Sequence, residues 1–206
     1  MNVIPARPAA SALQNLLQQH PNQPDSPHEP HLHHLALQIA HNLRYQHGWV
    51  DIRLHYNSQP SSAASKHPLP RPLISGSPPQ RLYVHPDEQI ALLQQQKDEG
   101  KTGMPELRTE REWVLPSHLR EKWTLRRFGE VFDGVGSVPV KQEGEVLFET
   151  KDGEAKSEDV VGLDQTKNVS EWRTGQPKRL LLATLDDDST VVYYIVHDGI
   201  VKPRQN

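Results

Sequence analysis

"LLLATLDDDSTVVYYIVHDGIVKP", residues 180–203, sets Asp186, Asp187 and Asp188 between two runs of Leu, Val, Tyr and Ile. Apolar runs of this length rich in β-branched and aromatic residues read as strands, and an Asp/Ser break between them reads as a turn. The stretch is therefore a hairpin: RLLLATL, 179–185, turns at Asp186–Ser189 into TVVYYIV, 190–196. Its three carboxylates raise a second possibility, the metal cluster of a nuclease. Successive strand residues point to opposite faces and successive turn residues fan outward, so three adjacent Asp make a poor chelate. Asp and Ser suit a turn because their side chains bond to nearby backbone groups. Three like charges exceed what a turn requires, and the surplus invites a basic partner.

Working upstream, TLRRFGEVF, 124–132, carries a helix start signal: Thr124 suits an N-cap, and Trp123 and Phe128 take the two positions of a hydrophobic staple. Leu125, Phe128 and Phe132 are expected on one face. EWVLP, 112–116, and RLYV, 81–84, read as short strands, and DEQIALLQQQK, 87–97, as a helix. Leu35, Ile39 and Leu43 recur at helical spacing within 33–46, and WVDIRLH, 49–55, alternates as a half-buried strand. The segments 18–31 and 57–80 are rich in Pro, Ser, Gln and His without apolar periodicity and are expected to be mobile. Residues 134–176 read as an insertion, most of which, from Gly136 to Trp172, is expected to be replaceable by a short Gly/Ser linker at about 1 kcal/mol. The expected organisation is a mostly disordered 1–31 and a single domain over 32–206 with mobile insertions at about 57–80 and 134–176.

Composition agrees with a chain only partly in a core. Its hydrophobic fraction is about 38% once Gly is counted and Tyr is not, and 18 of 206 residues are Pro, against roughly 45–50% and 5% in globular chains. The absence of Cys excludes disulfides, thiol nucleophiles and Cys-type zinc sites. No signal peptide or membrane span is legible, so an intracellular chain without membrane insertion is expected and the sequon at Asn168 carries no weight. The net charge of −3 is unevenly placed: residues 141–172 carry nine acids and four lysines, leaving 19 bases and 17 acids elsewhere.

The residues at 180–206 resemble the C-terminus of the small, non-catalytic subunit of the eukaryotic tRNA-splicing endonuclease, the Sen-fifteen family, in its fungal form. An apolar strand, an Asp-rich turn, a TVVYYIV strand, then Gly199 and Lys202-Pro203 carry the resemblance, with weaker agreement at 33–55, 81–84 and 112–132. The resemblance implies an α/β, nuclease-like fold with a mixed sheet and flanking helices. It implies a heterodimer with the catalytic subunit that cuts the 3′ splice site of intron-containing precursor tRNA, joined to a second heterodimer; a homodimer of the isolated chain is an alternative that the sequence leaves open. The Asp186–Asp188 loop would reach the opposing dimer, and Val191, Val192, Tyr193, Tyr194, Ile195 and Val196 would meet the catalytic partner. A nuclear location is implied, with the cytosolic face of the mitochondrial outer membrane as the alternative.

Catalytic relatives use a Tyr, a His and a Lys without metal. Lys178 stands where that Lys would, but no His lies between His118 and His197 and no Tyr between Tyr83 and Tyr193. Without base or acid, no catalytic residue is assigned, and no metal or cofactor is expected. His28, His31, His33 and His34 could collect an adventitious metal ion but lack a rigid frame for a built site. Arg120, Lys122, Arg126 and Arg127 around Trp123, with Lys178, are candidate RNA contacts. Two other readings compete: a stand-alone RNA-binding module led by this basic helix, and a weak metal-independent endoribonuclease using Lys178 with His118 or His197.

Overall fold

The computed structural model describes residues 9–22, 26–58, 67–100, 102–103, 107–148, 173 and 175–199. Within these, helices α1 (Ala12–Gln19), α2 (Pro30–Tyr45), α3 (Pro86–Asp98) and α4 (Leu125–Asp133) accompany strands β1 (Val50–Asn57), β2 (Pro68–Ser77), β3 (Glu112–His118), β4 (Glu145–Val146), β5 (Arg179–Leu185) and β6 (Val191–His197). The strands form one mixed sheet in the order β4-β1-β2-β3-β5-β6. All pairs are antiparallel except β3 with β5. The α/β class and mixed sheet agree with the sequence reading. No helix among the described residues is long and apolar enough to cross a membrane.

Why β5 is apolar at nearly every position follows from the layers. Leu181, Ala183 and Leu185 pack with α1, α2, Ile74 and Val114 on one face, while Leu180 joins Trp113, Leu115 and the α4 residues Val131 and Phe132 on the other. A strand covered on both faces reads as a continuous apolar run, because both side-chain rows are buried. α2 starts three residues earlier than expected because Pro30 suits the first helical position. Leu35, Ile39 and Leu43 are all buried as their spacing requires.

Four expectations are corrected. The segment 57–80, read as mobile, contains β2, a central strand whose Leu73, Ile74 and Ser75 are buried. Its prolines sit where the ladder can spare them. The step from His55 to Asn57 on β1 faces Leu73 to Pro68 on β2, a bulge, and β3 pairs only with Ile74, Ser75 and Gly76. RLYV is not a strand: residues 81–84 join no ladder of the sheet. The N-terminal segment contains α1, which has a complete Ser11–Gln14 capping box and buries Leu16. The presumed insertion contains β4, the buried Val135 and Leu147, and the buried Arg173, so part of it belongs to the sheet and the core; its acidic part at 149–172, with Trp172 and Asn168, lies outside the described residues.

Candidate functional site

The acidic turn is built by its own side chains. Asp186 and Thr190 close the hairpin through the Asp186 N–H donating to the Thr190 carbonyl at 2.9 Å. Asp186 Oδ1 accepts from the Asp187 N–H at 2.7 Å, and Asp188 Oδ1 accepts from the Thr190 N–H at 2.8 Å. Its bonds with Thr190 hold the exposed Asp188 carboxyl below its usual value. Ser189 takes the left-handed conformation, φ 69°.

Asp187 does something else. Its Oδ2 accepts from the Arg120 guanidinium and its Oδ1 lies 3.1 Å from His118 Nε2. Two candidate sets, the acidic loop and the basic segment, are thus brought together. Part of the surplus charge that pointed to an external partner is matched within the chain.

The basic segment is ordered by the staple the sequence announced. Thr124 accepts from the Arg127 N–H at 3.3 Å, and the Trp123 and Phe128 rings stack at 4.7 Å. Arg127 lies over the Trp123 ring at 4.6 Å, with Arg71 of β2 at 5.2 Å. Arg71 grips Glu121 with two bonds, 2.7 and 3.0 Å. Burial pushes the Glu121 carboxyl up, but the Arg71 bond and charge outweigh it and the group sits below its ordinary value. Arg126 pairs with Glu130, one turn along α4. Leu125 does not share the face of Phe128 and Phe132: it is 90% exposed, at the first turn of α4.

Lys178 is held away from this group. Its ammonium donates to the Phe132 carbonyl at 2.8 Å, at the end of α4, where a cation also meets the negative end of the helix dipole. His118 pairs with Leu185 across β3 and β5, seven residues beyond Lys178, so roughly 23 Å of strand separates them. His197 faces Arg179, the next residue, and its ring lies 5.2 Å from Tyr83. Neighbouring strand residues project to opposite faces, so Tyr83 and His197 lie on the side of Arg179 and Lys178 on the side of α4.

The histidine-rich segment is structural where buried. His33 Nε2 donates to the His20 carbonyl at 2.8 Å, and the Tyr56 hydroxyl lies 3.0 Å from His33 Nδ1. His28 is buried against Tyr56. No group of three or more His, Asp or Glu side chains suited to a metal exists among the described residues.

Among the described residues β6 forms an edge of the sheet, and its two faces differ. Val191 and Tyr193 pack toward α2, where the Tyr193 hydroxyl donates to Asn42 Oδ1 at 2.7 Å, and burial raises the Tyr193 pKa. Val196 packs on the α4 side, whereas Val192, Tyr194 and Ile195 are 44%, 57% and 38% exposed. An unpaired edge bearing exposed apolar side chains is open to pairing with another chain. Missed by sequence reasoning was the buried cluster of Arg81, Arg173 and Arg179 with Glu88, Glu110 and Glu112. Its only signal was charge within apolar runs.

A family model described as "Sen15 protein" matches residues 38–152 and 156–206. The chain belongs to the Sen15 family. Among its relatives is the Neurospora crassa protein named "Probable tRNA-splicing endonuclease subunit tsp-1", 40% identical over 173 residues, covering 84% of this chain and 66% of the relative. Another is the Schizosaccharomyces pombe "Probable tRNA-splicing endonuclease subunit sen15", 29% identical over 110 residues, covering 51% of this chain and 59% of the relative. The chain thus spans about two thirds of the length of the first of these fungal Sen15 relatives and somewhat less of the second. The Sen15 matches include all of α4, β5 and β6, the elements that carry the acidic turn, the basic segment and the apolar edge.

Proposed function

We propose that this Sen15 chain is a non-catalytic subunit of a tRNA-splicing endonuclease. It pairs through β6 with the catalytic subunit that cuts the 3′ splice site and helps to join two such pairs around precursor tRNA. The observation that carries the reading is the β6 edge, where Val192, Tyr194 and Ile195 stand exposed on a strand whose other residues are half-buried. The acidic turn supplies a charged contact for the second pair. Asp187 would exchange its Arg120 partner for a basic group of the opposing pair.

The catalytic alternative is disfavoured by geometry. Lys178 is committed to the Phe132 carbonyl, His118 stands at the other end of the parallel pair, and His197 with Tyr83 lies across the sheet. Lys178, His118, His197 and Tyr83, the groups this alternative needs, do not converge on a common point. Arg120, Lys122, Arg126 and Arg127 contribute RNA contacts within the assembly rather than as a stand-alone module, since three of them also have partners within the chain. A nuclease-like fold and a nuclear location, or the cytosolic face of the mitochondrial outer membrane for a peripheral complex, belong to the same proposal.

The test is reconstitution with the catalytic subunit and an intron-containing tRNA. The chain alone should leave the tRNA intact, the pair should form, and cleavage should need both. Cleavage by the isolated chain would overturn the non-catalytic reading.

A further inference from the structure

At the carboxyl end of the parallel β3 and β5 pair, α2 and α4 begin on opposite faces of the sheet. Between their first turns lies a cleft of about 500 Å³ whose lining includes His28, Glu29, His31, Glu121, Lys122 and Arg127. In open α/β sheets this end, between helices on opposite faces, is where ligands are held.

Four properties of the lining define what would fit. α2 has no side-chain cap: Glu29 makes no capping bond, and Pro30 follows it. Pro30 has no N–H and the Leu32 N–H is bonded to the Glu29 carbonyl at 3.0 Å, so what the start of α2 offers an anion is the His31 N–H and the positive end of the helix dipole. The Lys122 ammonium is exposed and has no partner among the described residues. Arg127 is fixed in place by the Trp123 ring and by its 2.6 Å bond to the Lys122 carbonyl. Of the two carboxylates, Glu121 is matched by Arg71, and Glu29 lies exposed with an oxygen 3.1 Å from His31 Nδ1.

His28 adds a polar acceptor. It is 8% exposed, and its Nε2 donates to the Tyr56 carbonyl at 3.4 Å, so Nδ1 is left as an acceptor with no partner among the described residues. Burial holds this ring below the ordinary histidine range, aided by the charge of Arg71 although the Tyr56 bond opposes it, which keeps Nδ1 free of a proton.

The geometry points to a sugar–phosphate site: Lys122, Arg127 and the start of α2 take one phosphodiester group of RNA, and His28 Nδ1 accepts from the adjoining 2′-hydroxyl. The inference rests on the reading that this subunit contacts precursor tRNA and names where and how. A free phosphate would satisfy only the cationic half, and DNA lacks the hydroxyl that His28 would read.

The test uses the full chain and a fluorescein-labelled single-stranded RNA octanucleotide, with DNA of the same sequence as comparison, followed by anisotropy over a salt series. RNA should bind about fivefold tighter than DNA, the value of one hydrogen bond. Lys122→Glu should weaken RNA binding and lower the salt slope by about one. Arg126→Glu, at a side chain outside the cleft and paired with Glu130, should do so less. His28→Phe should erase the RNA preference, and Lys122→Glu keeps the test valid if that variant does not fold. Inorganic phosphate at matched ionic strength should leave the RNA bound. Equal losses from Lys122→Glu and Arg126→Glu, equal binding of RNA and DNA, displacement by free phosphate, or no binding at all would each overturn the site. Capture of the catalytic subunit by Lys122→Glu is measured separately. It should match wild type, and failure of wild-type capture would count against the subunit reading and not against the cleft.

Discussion

Asp187 in the β5–β6 turn accepts a bond from Arg120 in the loop after β3, tying the acidic turn to the basic segment across 67 positions of sequence. The pair is exposed, with side chains 54% and 76% accessible, so its contribution to stability is about 0–1 kcal/mol. Asp187→Lys should leave the chain folded, with a denaturant midpoint close to wild type. In the reconstituted complex it should weaken joining of the two pairs, since like charges across an interface repel. Sizing at low and high salt checks this; a variant that assembles fully at low salt would reduce Asp187 to a surface ion pair.

Lys178 stabilises α4 and takes no part in chemistry. Lys178→Ala should cost about 1 kcal/mol in urea unfolding, through the lost bond to the Phe132 carbonyl. Cleavage by the assembled enzyme should stay within about threefold of wild type. A hundredfold fall with assembly intact would place Lys178 at the reacting phosphate.

His55 makes stability depend on pH. Burial, with the charges of Arg111 and Arg53 adding to it, lowers its pKa from 6.5 to about 4. It also faces the Ser75 hydroxyl and the Trp113 ring. Because the unfolded chain takes up a proton first, stability is full above about pH 6.5 and falls as pH drops toward 4. The loss attributable to this group reaches about 3 kcal/mol. His55→Gln should flatten the fall in urea titrations between pH 7 and 4.5; an unchanged slope would assign it to other groups.

Leu147 tests the boundary of the core. It is 3% exposed beside β4, and its N–H donates to the Ile52 carbonyl at 3.1 Å. Leu147→Ala should cost about 2–5 kcal/mol, whereas a removable insertion would tolerate it. Calorimetry decides between them.

What could be read from the sequence was what local pattern controls. The staple of Trp123 and Phe128, the Thr124 cap, the Leu35-Ile39-Leu43 stripe and the turn at Asp186–Ser189 each depend on residues within a few positions of one another. β2 was hidden because Pro68, Pro70 and Pro72 contradict a central strand unless a bulge and a short β3 ladder relieve them, and both depend on distant strands. β4 is two residues long, and its place is set by pairing with β1. The candidate site was legible as two sets of charges. Their meeting at Asp187 and Arg120 depends on the parallel register of β3 and β5, which no local pattern encodes.

The account turns on the β6 edge, and light scattering of the chain co-expressed with the catalytic subunit tests it most directly. Wild type should give a stable complex containing the two chains in equal numbers. The double variant Val192→Lys, Tyr194→Lys should fold as a monomer, because both side chains are exposed, yet fail to form that complex. A double variant that still yields the complex at wild-type yield would contradict pairing through β6.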